Sequence, residues 1–183
     1  MIVPIIIIVA IVLILFIFIY NNIIQRKNAV DNAYYSIDVQ LKKRYDLIPQ
    51  LVETVKGYMK YEKDLLEKIT ALRSQVLSDK ISADQKVDLD NQISGTLQRL
   101  AVSVENYPDL KASSNFLSLQ GSMNETEEQL AASRRFYNAA VTDYHNALET
   151  FPSNVIAGIA GMKKRNFFSI SEAEKAVPTV NFQ

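Results

Sequence analysis

A chain of 183 residues has room for one ordinary domain with its own core plus an anchor, since domains cluster at roughly 100 to 150 residues. Twenty basic residues balance twenty acidic ones, so there is no net field of the kind that recruits nucleic acid, and no nucleic-acid partner is expected. The absence of cysteine excludes disulfides, thiolate zinc sites, thiol nucleophiles and a lipidated cysteine.

The chain opens on a membrane-length apolar run. Every residue from Ile2 to Ile19 is apolar, Pro4 sits in the opening turn where a missing N–H does no harm, and the first charge is Arg26. At about 1.5 Å per residue the run spans roughly 27 Å, close to the hydrocarbon thickness and longer than the core of a cleaved signal. Residues 1–20 therefore read as a retained transmembrane anchor, with Tyr20, Arg26 and Lys27 at the membrane interface. Arg26, Lys27, Lys42, Lys43 and Arg44 all follow the span. The positive-inside rule then places the body on the cytoplasmic side of a bacterial cytoplasmic membrane, with the external side as the alternative.

Few glycines and prolines and many Leu, Ile, Ala, Glu, Lys and Gln favour helix throughout the remainder. The first apolar seam runs Val30, Tyr34, Ile37, Leu41, Tyr45, Ile48, Val52, Val55, Met59, Leu66, Ile69 and Val76, in steps of three and four, and misses one heptad at Glu62. That spacing predicts one helix continuous with the anchor, kinked or broken between Asp46 and Pro49 because an interior proline removes a backbone bond. Leu77 to Ile81 should turn the chain, and Ser82 with Gln85 forms a capping box for a second helix reaching about Asn106. Its stripe is Val87, Ile93, Leu97, Leu100 and Val104, and Tyr107-Pro108-Asp109 reads as its stop. A third seam runs from Phe116 through Leu119, Met123, Thr126, Leu130, Ser133, Tyr137, Ala140, Tyr144 and Leu148 to Phe151, ending at Pro152.

The expected fold is all-α: the N-terminal transmembrane helix, then an elongated antiparallel helical bundle over 21–152, of three long helices or four if the first breaks near Pro49. A short amphipathic segment and tail follow over 153–183. At about 1.5 Å per residue the three helices would measure roughly 84, 37 and 60 Å, which do not match. Either ends project unpaired, or Gly121 breaks the third helix, or a second copy covers the surplus seam, which predicts a homo-oligomer. In the last segment, Lys163, Lys164 and Arg165 beside Phe167 and Phe168 suit lipid headgroups, but the phenylalanines are expected to fold back onto the bundle.

Residues able to do chemistry are sparse. The single histidine, His145, is expected at the surface, and there is no nucleophile elbow or phosphate-binding loop. Pairs such as Asp88 with Asp90 lie too close in sequence to converge on a metal and read as solvated faces. No catalytic residue, metal or cofactor is expected. The polar residues beside the seams, Asp38, Arg44, Asp46, Arg134 and Arg135, are candidates for fixing interhelix register or docking a partner in a charged groove.

Two stretches carry a resemblance. Val30-Asp31-Asn32-Ala33 with the run from Ile37 to Tyr58, and Arg134 to Val141 with Phe151-Pro152-Ser153-Asn154 and Lys163 to Phe168, resemble the signature of the bacterial LemA family. The likeness covers the chain from about Tyr20 onward. It implies a bacterial source, an N-terminal membrane helix and an antiparallel bundle, and no activity. Some members of that family carry a lipidated cysteine that would place the domain outside the membrane, and this chain lacks it. The function expected is a non-enzymatic envelope scaffold that touches the lipid bilayer and self-assembles through its seams. The alternative is an adaptor or sensor binding another envelope protein, such as a membrane protease, through a groove.

Overall fold

The computed structural model describes residues 2–59, 61–78, 81 and 83–168. Among them every regular element is a helix: α1 (Ile2–Lys56), α2 (Lys63–Val76), α3 (Ala83–Val104), α4 (Pro108–Lys111), α5 (Ser114–Glu149) and α6 (Ser153–Ile159). The expected capping residue Ser82 and the Pro178 tail lie outside the described residues.

Helix α1 passes from the apolar run into the body without a break. All side chains from Ile2 to Phe18 are exposed, which suits groups meant for hydrocarbon and makes the run a candidate single-pass membrane span. Only four residues beyond Ile19, Ile23 is fully buried. Packing of the body on α1 therefore starts within about 6 Å of the end of the apolar run.

The expected break at Pro49 is corrected. Proline lies inside α1, and the helix ends instead at Lys56 and restarts at Lys63. A proline at 49 frees the carbonyl four residues earlier, that of Tyr45, and Arg73 Nε on α2 donates to that carbonyl at 2.7 Å. The lost helix bond is thereby replaced from outside, and the helix continues. The interruption falls where the seam misses its heptad. Gly57 costs a helix interior about 1 kcal/mol, the amides of Tyr58 and Met59 both close on Val55 O at 3.0 Å, and the amides of Leu65 and Leu66 restart the helix on Glu62 O. Gly121, a break at which was one of the three ways of reconciling the helix lengths, lies within an uninterrupted α5. Pro108 stops α3 but also opens α4 at its first turn, where its missing N–H is harmless.

Among the described residues the chain divides into two compact units, one built on residues 2–39 and 130–168, the other on Gln40–Gln129. In the first, α5 runs antiparallel to α1: the ring of Tyr34 meets that of Tyr137 edge-on at 6.1 Å, and Arg26 reaches Asp143 O at 3.5 Å. Ile23, Val30, Ala33 and Ile37 from α1, Leu130, Tyr137, Ala140, Val141 and Tyr144 from α5, and Ile156 and Ala157 from α6 are buried in it. Phe151, expected to close the third seam, is 78% exposed instead, because α5 stops at Glu149 and the chain turns away.

In the second unit, Leu41, Tyr45, Ile48, Leu51 and Val55 of α1 are buried with Leu66, Ile69, Leu72 and Val76 of α2, Ile93, Leu100 and Val104 of α3, and Phe116 and Leu119 of α5. Two buried threonines satisfy their hydroxyls locally, Thr96 on Gln92 O at 2.6 Å and Thr126 on Ser122 O at 2.8 Å, so neither leaves a polar atom stranded in the core.

Candidate functional site

The second unit buries a charge cluster. Arg44 on α1 has a side chain only 5% exposed; its Nη1 donates to Asp90 Oδ1 on α3 at 3.2 Å, and its Nη2 meets Glu127 Oε2 on α5 at 3.2 Å. Tyr45 donates its hydroxyl to the same Asp90 oxygen at 3.1 Å. One arginine thus ties three helices, its planar fork offering donors in divergent directions. Its Nε is buried without a hydrogen-bond acceptor among the described residues. Asp90 corrects the sequence reading: it is 2% exposed and faces the core, not solvent.

Beside this cluster lies a cleft of about 420 Å³, walled by Leu97, Leu100 and Val104 of α3 and Phe116 and Met123 of α5, with Arg44 and Glu127 adding charge. Its size and mixed lining fall within the range of ligand and peptide pockets. Nothing at residue spacing announced it, since it is formed by where two helices part.

The first unit holds a different arrangement, in which the segment after α6 is strapped to α5 by side chains. Asn138 clamps Phe168 with two bonds, Oδ1 accepting from its amide at 2.8 Å and Nδ2 donating to its carbonyl at 3.0 Å. Tyr137 donates its hydroxyl to Asn166 O at 2.9 Å. His145 Nε2 lies 2.9 Å from Arg165 O and 3.2 Å from Arg165 N, donating to one or accepting from the other according to its tautomer. Its ring also meets Phe167 edge-on at 5.3 Å. The histidine sits at the surface, partly exposed, and is engaged by the strap. Arg165 closes the strap on Asp31 of α1 at 3.1 Å. Burial raises the phenols of Tyr137 and Tyr144 above their ordinary range, with Arg165 acting in the opposite sense. The ammonium of Lys164, hydrogen-bonded to Glu149, lowers that carboxyl.

A second cleft in this unit, about 510 Å³, has Tyr20, Ile24 and Lys27 of α1 on one side and Met162 to Arg165 on the other. The basic residues at 163–165 are exposed and line this cleft; of the two phenylalanines expected to fold back, Phe168 does so beneath Arg134, whose guanidinium carbon is 4.9 Å from the ring centre, whereas Phe167 stays 51% exposed.

The residues singled out from sequence do not form one site. Arg44 is the centre of the buried cluster, but with Asp90 and Glu127 as partners. Asp46 is exposed, 3.4 Å from Lys42 and 3.9 Å from Arg73. Asp38 is half-buried on α1, Arg134 half-buried against Phe168, and Arg135 exposed. Tyr20 and Lys27 share the second cleft, and Arg26 bonds to Asn22 Oδ1 at 3.0 Å. Among the described residues no three metal-binding side chains converge.

The model of the LemA family matches residues 33–182. Protein LemA of Metamycoplasma hominis is 28% identical over 155 residues, 85% of this chain and 71% of that protein. More partial likenesses are to magnetosome protein MamQ 2 of Paramagnetospirillum magneticum, 32% identical over 79 residues (43% of this chain, 29% of that one), and to magnetosome protein MamQ of Magnetospirillum gryphiswaldense, 26% identical over 94 residues (51% and 35%). With an apolar helix at its start, an all-α body and a family match over most of its length, the chain belongs to the LemA family of membrane-associated bacterial proteins.

Proposed function

We propose that this protein is a non-enzymatic scaffold of the bacterial cytoplasmic membrane, tethered by Ile2–Ile19 with its body on the cytoplasmic side, and that it assembles with further copies through uncovered helix faces. The observation that carries this reading is on α1. Tyr35 and Val39, one turn apart, are 66% and 54% exposed, on the helix that also provides the anchor. Tethering confines copies to a plane and raises their effective concentration, so a modest apolar contact suffices for assembly. The flanking Arg26 and Lys27 support the cytoplasmic placement.

Covering large apolar side chains contributes about 1.5 to 3 kcal/mol each. The double variant Tyr35→Lys/Val39→Lys is therefore expected to weaken self-association of the detergent-solubilised full chain at least about hundredfold, read by light scattering across a concentration series and by cross-linking in membranes. Wild-type protein that stays monomeric at every concentration and in the membrane would sink the scaffold.

A second reading, an adaptor for another membrane protein, is favoured by the apolar cleft of the second unit. Ala101, exposed on its wall, is the site for a test. Ala101→Arg should abolish co-purification of any stoichiometric partner from membranes without altering self-assembly. Retention of the partner by this variant excludes the cleft as its seat.

A further inference from the structure

We propose that the first unit makes a second contact with the bilayer, beyond the anchor: the outer face of α6 lies in the membrane surface, and the cleft between α1 and residues 162–165 takes the phosphate of an anionic phospholipid. The inference rests on reading Ile2–Ile19 as a membrane span.

Position comes first. Tyr137 beside Tyr34 and Asp143 beside Arg26 set the register of α5 on α1. Continued down the pair, that register brings Glu149, the last residue of α5, to about the level of Tyr20, where the apolar run ends. The ion pair of Lys164 with Glu149 returns the far side of α6 to the same level. Both ends of α6 are thus held at the height where α1 leaves the hydrocarbon, inside a headgroup layer that is about 5 to 7 Å deep on each side of the bilayer.

Surface chemistry agrees with that position. Val155 and Ile159, one turn apart on α6, are 54% and 73% exposed, and Phe151 in the turn before the helix is 78% exposed, while Ile156 and Ala157 on the helix's other face are buried. In water this is an uncovered apolar stripe; at a membrane surface it is the ordinary arrangement of an interfacial helix, with an aromatic ring among its anchors. The cleft beside it pairs apolar Ile24 and Met162 with four cations. Lys164 and Arg165 are neutralised by Glu149 and Asp31, whereas Lys27 and Lys163 have no carboxylate partner among the described residues. Two uncompensated ammonium groups above a greasy floor match a phosphate joined to acyl chains better than they match a free anion, which would leave the floor bare.

The absence of native cysteine makes the test direct. The full chain, with Val155→Cys carrying an environment-sensitive fluorophore, is placed in nanodiscs of phosphatidylglycerol and phosphatidylethanolamine or of phosphatidylcholine, each doped with lipids bearing a nitroxide near the headgroup. The label at 155 should be quenched, whereas one at Tyr35→Cys, about 24 Å along α1 from Ile19, should not. In native mass spectra of the detergent-released protein, wild type should retain phosphatidylglycerol over phosphatidylcholine. Lys27→Ser/Lys163→Ser, both outside the core, should lower that preference at least about fivefold, the effect expected for about 1 kcal/mol of headgroup attraction. An unquenched label at 155 on a chain that still resides in the disc overturns the proposal and leaves the anchor standing. A chain that does not enter discs overturns the anchor reading and this one with it. A label shielded without lipid quenching assigns the stripe to a second copy or a partner protein, and quenching with no phosphatidylglycerol preference removes the headgroup from the cleft; either result also overturns it.

Discussion

Asp90→Ala is expected to destabilise the second unit by about 3 to 5 kcal/mol, because it leaves the buried Arg44 guanidinium without its buried counter-charge and takes away the acceptor of the Tyr45 hydroxyl. Urea titration of the full chain in detergent, followed by helical circular dichroism, measures it. Glu127 does not compensate, since its side chain is 50% exposed and its pull on Arg44 is weakened by solvent. Asp90→Asn should cost less, since an amide oxygen still accepts from Tyr45 while the charge is lost. The double variant Arg44→Met/Asp90→Leu should recover most of the loss: swapping a whole buried pair for apolar groups of similar size is often neutral or stabilising. If Asp90→Ala alone costs less than about 1 kcal/mol, the cluster does not hold the three helices together.

Arg73→Met is expected to cost about 2 kcal/mol by stranding the Tyr45 carbonyl that Pro49 has already deprived of its helix donor. The diagnostic is non-additivity. Pro49→Ala restores an N–H four residues along and should stabilise the chain by about 1 to 2 kcal/mol. In that background Arg73→Met should become about 1 kcal/mol cheaper, because the carbonyl now has a partner within its own helix. The same denaturant titrations read all four corners of the cycle. Purely additive costs would mean that Arg73 acts only through its packing or its long contact with Asp46 at 3.9 Å, and the account of how α1 tolerates proline would fail.

Much of the architecture was legible because helices state themselves in three-four spacing. Most residues of the three seams are buried in the structure, Tyr34 and Phe151 being exposed, and the resemblance to the LemA family agrees with the match over residues 33–182. The exceptions are instructive. Pro49 read as a break because local rules count only the helix's own donors, and the donor that satisfies the freed Tyr45 carbonyl comes from Arg73, 28 residues beyond Tyr45. The missed heptad at Glu62 was visible, yet its meaning as the true interruption needed Gly57 and the doubled bonds on Val55 O to be seen together. Asp90 read as solvated because its spacing from Asp88 lets the two carboxylates point apart, and only Arg44 on another helix explains its burial. The engagement of His145 and Asn138 in the strap had no sequence signal, because their partners are backbone atoms of residues 165 and 168.

By itself the sequence determined the all-α class, the apolar run able to cross a bilayer, and which stripe of each helix turns inward; these depend on composition and on periods of three and four residues, which are local and additive. Tertiary structure alone decided which charges are buried, where α1 ends, that the signature blocks at 134–141 and 163–168 are strapped together, and that α6 shows its apolar face outward. Those outcomes depend on distances between residues far apart in the chain, and a buried ion pair or a rescued carbonyl exists only once both partners have been brought within about 3 Å.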